Sequence, residues 1–111
     1  MGVSTNFYTY YGIQIPWNNK FYEVYDEKYD DIHSDIIVDG MGGNYMIFGV
    51  CLFDSGDYRW GFEDGDTFKE IDLKNLPSLE AEYKVLFKAE FPEFYHIIDQ
   101  PFKLMSFVHF S

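Results

Sequence analysis

The residues of this chain that could do chemistry are nineteen carboxylates, three histidines and one cysteine. His33, His96 and His109 stand apart in the sequence, in no metal-ligand or triad spacing. Each reads as a surface or core-edge histidine. Cys51 lies in the apolar run Val50-Cys51-Leu52-Phe53, with no base beside it to stabilise a thiolate, and reads as a small buried hydrophobe. Asp39-Gly40-Met41-Gly42-Gly43 lacks the Gly-Lys-Ser/Thr of a phosphate loop and reads as a hairpin turn. The turns Asp54-Ser55-Gly56-Asp57 and Glu63-Asp64-Gly65-Asp66 are rich in oxygen ligands but match no calcium-loop register. Neither a catalytic residue, a metal site nor a cofactor is assigned. Pairs of carboxylates suited to acid–base work carry no signal where acids are this abundant.

The placement of the carboxylates says more than their number. Net charge is −11. Residues 23–39 carry Glu23, Asp26, Glu27, Asp30, Asp31, Asp35 and Asp39 against Lys28 alone. Residues 54–72 carry Asp54, Asp57, Glu63, Asp64, Asp66, Glu70 and Asp72 against Arg59 and Lys69. The other segments balance, so the whole excess sits in two stretches. A field of this sign repels phosphates and anionic lipid and attracts basic surfaces. Direct nucleic-acid binding, which needs clustered Lys and Arg, is disfavoured in a chain with one Arg. Exposed aromatics beside charge suit an interface, and Tyr29, Tyr58 and Trp60 lie in or next to the acidic stretches.

The elements that must position these residues follow from hydrophobic spacing. Aromatics make up 22% of the 111 residues, ample for one domain over 1–111 with its own core. Residues 3–15 alternate as a first strand with a bend at Gly12, and Pro16 ends it. Trp17, Phe21, Val24, Tyr25 and Tyr29 make the apolar stripe of a helix over 17–29, capped by Asn18, with Glu23, Asp26, Glu27 and Asp30 on its opposite face. Residues 35–39 and 44–53 read as a hairpin, followed by strands at 58–62 and 68–71. A helix over 79–91 buries Leu79, Tyr83, Leu86 and Phe87, with Ser78 or Asn75 as cap, and a last strand runs over 102–110. The expected fold is α+β, an antiparallel sheet of about five or six strands packed against two helices. Pairing residue 39 with 44 and 53 with 58 would merge the two acidic stretches around one sheet.

The stretches Asp39-Gly40-Met41-Gly42-Gly43-Asn44-Tyr45-Met46 and Leu52-Phe53-Asp54-Ser55-Gly56-Asp57-Tyr58-Arg59-Trp60-Gly61 resemble small uncharacterised acidic proteins of tailed bacteriophages. The resemblance implies an accessory protein of the host cytoplasm. Many such proteins are small acidic inhibitors of host enzymes, and some imitate the charge of DNA. The resulting expectation is a non-enzymatic acidic binding protein, an inhibitor presenting Glu23, Asp26, Glu27, Asp30, Asp31, Asp54, Asp57, Glu63, Asp64 and Asp66 to a basic partner, of which a nucleic-acid-binding protein is one case. Tyr29, Tyr58 and Trp60 are its apolar anchors. A small-molecule or nucleotide-sequestering protein using Arg59 is the alternative, and a metal-dependent hydrolase using Asp and His is a third. No stretch is long and apolar enough to span a membrane, and no signal peptide is visible at the start.

Overall fold

The computed structural model describes residues 5–27, 36–38, 45–63 and 65–110. Strand β1, Thr5–Ile15, is built from alternating aromatic and β-branched residues and leads through Pro16 into helix α1, Asn19–Glu27. Asn18 caps α1 as expected, its Oδ1 accepting from the Phe21 N–H at 3.0 Å. Strands β2, Ile36–Val38, and β3, Met46–Asp54, pair antiparallel. Helix α2, Leu76–Glu90, starts three residues earlier than the spacing predicts. Pro77 sits in its first turn, where a missing N–H costs nothing. Asn75 precedes the helix but makes no cap; its Nδ2 donates instead to Asp72, which caps the preceding 3-10 turn at Leu73–Asn75. Strand β4, Lys103–Phe110, follows a 3-10 turn at Tyr95–Ile98.

The four described strands form one antiparallel sheet in the order β2-β3-β1-β4. The described sheet is therefore smaller than the five or six strands expected. Residues 58–62 and 68–71 are not strands. The first strand holds the middle of the sheet, because β3 takes one of its edges and β4 the other. That leaves β3 no edge for a following hairpin strand.

One face of the sheet carries Tyr11, Ile13, Ile15, Ile36, Met46, Phe48 and Val50 into a core closed by both helices. Phe21 of α1 meets Phe87 and Phe91 of the α2 end at ring separations of 5.7 and 4.9 Å, and Phe87 meets Phe48 of β3 at 4.8 Å. Each such pair adds about 0.5–1.5 kcal/mol beyond the area it buries. Of the expected α2 face, Phe87 is buried and Leu79 and Tyr83 pack against the core, but Leu86 is exposed. Leu86 lies one residue, hence about 100°, off the Leu76–Leu79–Tyr83–Phe87 stripe. Glu80 ties the layers together: it accepts from Tyr11 Oη at 3.1 Å and from the Phe102 N–H at 3.3 Å, and pairs with Lys84 at 3.0 Å.

Gly12 and Gly49 face each other across β1 and β3. A Cβ on Gly12 would lie 2.1 Å from the Phe48 carbonyl oxygen, so the close strand approach at this point admits no side chain. Farther along, the register slips between Thr9 and Tyr10, leaving Leu52 as an extra residue on β3. The second face of the sheet holds a smaller cluster: Tyr8, Tyr10, Tyr45, Phe107 and His109, with Tyr45 Oη 2.8 Å from His109 Nδ1. Cys51 belongs to this second face, opposite Tyr10, and is exposed rather than buried. Its apolar neighbours Val50 and Leu52 misled the sequence reading, because alternation along β3 sends Cys51 away from the helices.

Candidate protein-binding turn

The segment that begins at Asp54 is cross-braced by its acids and by Ser55. Asp54 ends β3. Its Oδ1 accepts from Asn6 Nδ2 at 3.0 Å and from the Gly56 N–H at 2.9 Å. Ser55, buried, exchanges two bonds with the start of β1: its N–H donates to the Phe7 carbonyl at 3.0 Å, and its Oγ accepts from the Phe7 N–H at 2.9 Å. Asp57 Oδ1 accepts from the N–H groups of Thr5 and Arg59, both at 3.1 Å, and Oδ2 pairs with Arg59 Nε at 3.2 Å. At the far end of the segment, Asp66 Oδ2 accepts from the Asp54 N–H at 3.2 Å, while the Asp66 N–H donates to the Asp54 carbonyl at 2.6 Å. Gly65 lies so close to Ser55 that a Cβ there would be 1.9 Å from the Ser55 carbonyl carbon. These bonds fasten residues 54–57 to the start of β1 and bring Asp66 back onto Asp54 at the end of β3.

The bracing displays aromatics. Asp57 caps a 3-10 turn at Tyr58–Trp60, which ends at Gly61 in the left-handed region with φ 65°. Phe62 follows at φ 63°, a conformation that costs a non-glycine residue about 1–3 kcal/mol. Its ring packs on Phe7 at 5.9 Å and Tyr58 at 5.6 Å. The consecutive left-handed residues turn the chain back and leave Tyr58 and Trp60 63% and 64% exposed. Two large rings held outward on a pinned backbone lose little conformational entropy on docking, which favours their use as anchors.

The carboxylates expected to act together are divided by the fold. Asp54, Asp57 and Asp66 are acceptors inside the turn: Asp54 and Asp57 accept from Asn6 and Thr5 at the start of β1, and Asp66 accepts from the Asp54 N–H. Glu63 is exposed beside the aromatics. Glu23, Asp26 and Glu27 are exposed on α1, which is anchored through Phe21 to Phe87, Phe91 and Phe94. Tyr29, Asp30, Asp31 and Asp64 lie outside the described residues. The registers expected to merge the acidic stretches do not form: Val38 pairs with Met46, and β3 pairs with β1 where a strand over 58–62 was expected. Glu23, Asp26 and Glu27 thus belong to α1, and Asp54, Asp57, Glu63 and Asp66 to the segment that ends β3 and follows it.

A second feature is a cleft of about 380 Å³ on the other side of the sheet, lined by Gln14, Tyr45, Ile47 and the Met105–Val108 stretch of β4. Arg59, the guanidinium expected of a nucleotide pocket, does not line it and is paired with Asp57. Beside the cleft wall, burial and the Asp54 carboxylate push the Tyr8 phenol up to about 12. Burial also raises Tyr10, and partial desolvation by its neighbours, with the Asp54 carboxylate, raises the Cys51 thiol, the opposite of what a reactive thiolate needs. Among the described residues, no three His, Cys, Asp or Glu side chains converge to hold a metal ion, and no helix is long and apolar enough to cross a membrane.

No family model matches this chain, and no solved structure matches it. A stretch of 78 residues, 70% of the chain, is 31% identical to the dolichyl-diphosphooligosaccharide–protein glycosyltransferase subunit STT3 of Saccharomyces cerevisiae. The chain spans 11% of the length of that subunit, too small a share for the subunit's activity to be carried over.

Proposed function

We propose that this chain is a non-enzymatic binding protein that docks on a basic protein surface, with Tyr58 and Trp60 as anchors. The observation that carries this reading is the exposure of both rings on a turn whose backbone is held by three carboxylates and one buried serine. Glu63 borders the rings, and the exposed Glu23, Asp26 and Glu27 of α1 add to the negative field. In this reading the free acids steer a cationic partner and the aromatics make the desolvated contact. A nucleic-acid-binding protein of a bacterial host is one partner of the right chemistry, in keeping with the resemblance to phage accessory proteins. Inhibition would follow from occupying the basic surface that such a partner uses.

The test is a pull-down from bacterial lysate with three baits: the wild-type chain, Trp60→Ala, and a triple variant with Glu23, Asp26 and Glu27 changed to Lys. Loss of a buried aromatic anchor costs about 2 kcal/mol or more, close to thirtyfold in affinity. Trp60→Ala is therefore expected to lose partners that wild type retains. The triple variant is expected to capture them more slowly and with weaker salt dependence. Identical capture by all three baits would refute the docking role.

A further inference from the structure

We propose that two copies of this chain associate through the outer edge of β4, pairing antiparallel about a two-fold axis at Ser106 and continuing the sheet across both. β4 is the terminal strand of the sheet among the described residues, and its middle carries none of the devices that blunt an edge: Lys103–Phe110 contains no proline, pairs with β1 without a bulge, and has its one lysine, Lys103, at the strand start. On its helix-side face Leu104, Val108 and Phe110 are 50%, 38% and 51% exposed.

What selects a second copy is the order of residues in the strand. Read outwards from Ser106, residues 102–110 are chemically palindromic: Met105 mirrors Phe107, Leu104 mirrors Val108, Lys103 mirrors His109 and Phe102 mirrors Phe110. A two-fold axis makes an interface self-complementary, so that residue i meets j and j meets i. In antiparallel pairing centred on Ser106, Leu104 of one copy meets Val108 of the other twice, and Met105 meets Phe107 twice. Residues directly opposite in an antiparallel pair share a face, so both sets meet like with like. Ser106 meets Ser106 at the axis, and its hydroxyl already sits 2.9 Å from Thr9 Oγ1 on the same face.

Charge points to the same edge. Two chains of net charge −11 repel one another, and carboxylate-free surface is where that repulsion is least. Residues 100–111 contain no Asp or Glu, and neither does β1 beside them. The acids of α1 and of the turn at 54–66 belong to other elements.

Sedimentation equilibrium of the full chain over a range of concentrations tests this. Wild type is expected to show a monomer–dimer equilibrium. Val108→Lys, a change at an exposed position, breaks two symmetry-related contacts and is expected to weaken the dimer on the order of tenfold, with an unchanged circular dichroism spectrum. The register is read separately, in a Cys51→Ser background. A short bis-maleimide is expected to join two copies at Ser106→Cys but not at Thr67→Cys. A wild-type chain that stays monomeric, a dimer indifferent to Val108→Lys, or no cross-linking through position 106 would each overturn the proposal.

Discussion

Replacing Asp57 by alanine removes the side chain that holds the aromatic turn to the sheet. Its Oδ1 is the acceptor for two backbone N–H groups, Thr5 at 3.1 Å across the sheet and Arg59 at 3.1 Å within the turn. Loss of the Arg59 bond is loss of a cap, worth about 0.5–2 kcal/mol. Loss of the Thr5 bond adds about 1–1.5 kcal/mol, because a part-buried donor is left without this acceptor. The Arg59 ion pair adds little, about 0–1 kcal/mol, since the Arg59 side chain is 41% exposed and screened by solvent. Together Asp57→Ala is expected to cost about 2–3 kcal/mol, which lowers the midpoint of thermal unfolding by roughly 10–20 °C for a chain of this size. Asp57→Asn keeps an oxygen acceptor and loses only the charge, so its cost is expected to be about 1 kcal/mol. Urea unfolding of the three proteins measures both values. If Asp57→Ala unfolds with wild-type stability, or if Asp57→Asn is as costly as Asp57→Ala, the turn is not held by these hydrogen bonds.

Three further outcomes follow from the core and from its titrating groups. Gly12→Ala puts a Cβ 2.1 Å from the Phe48 carbonyl oxygen; forcing β1 and β3 apart is expected to cost on the order of 3 kcal/mol or more, read as a collapse of the urea midpoint. For Glu80, burial raises the carboxyl, but bonds from Lys84, the Phe102 N–H and Tyr11 outweigh it and hold it below its usual value of 4.5. Its contribution is thus complete above that value and lost as pH falls through the lower folded value, so wild-type stability should decline more steeply below about pH 4.5 than that of Glu80→Gln. Tyr8, Tyr10 and Tyr11 are all raised, chiefly by burial, so the fold favours their neutral form. Stability should hold up to about pH 10 and fall above it, with tyrosinate absorbance of the folded protein lagging that of the unfolded chain; coincident titration curves would contradict this.

Much of the architecture was legible in the sequence because it rests on local spacing. The alternation of residues 3–15 and the stripe around Phe21 and Tyr25 predicted β1 and α1, and Pro16 marked the boundary between them. Strand order was not legible. It depends on Thr5 pairing with Phe110 and Tyr8 pairing with Asp54, contacts between distant parts of the chain that no local pattern encodes. Residues 58–62 were misread for a specific reason: Tyr58, Trp60 and Phe62 alternate as a strand would. The Asp57 cap and the left-handed pair Gly61 and Phe62 decide otherwise. The same segment shows what could be read of the candidate site. Trp60 was singled out from an aromatic beside charge, and it is exposed. The acids around it were read as a surface for a partner, whereas Asp54, Asp57 and Asp66 spend their oxygens on the protein's own backbone. The Asx-turn chemistry of Asp54-Ser55-Gly56-Asp57 was the signal for that role, since Asp in a tight turn commonly accepts from backbone N–H groups a residue or two away.

The proposed anchoring rests on Trp60 being at once in water and immobile. Polarised fluorescence of the Trp17→Phe variant, in which Trp60 is the remaining tryptophan, reads both properties from one sample. The expected result is a red-shifted, readily quenched emission whose anisotropy decays with the tumbling of the whole protein. A blue-shifted emission, or a fast depolarisation from local motion of the ring, would contradict a turn built to hold it outward.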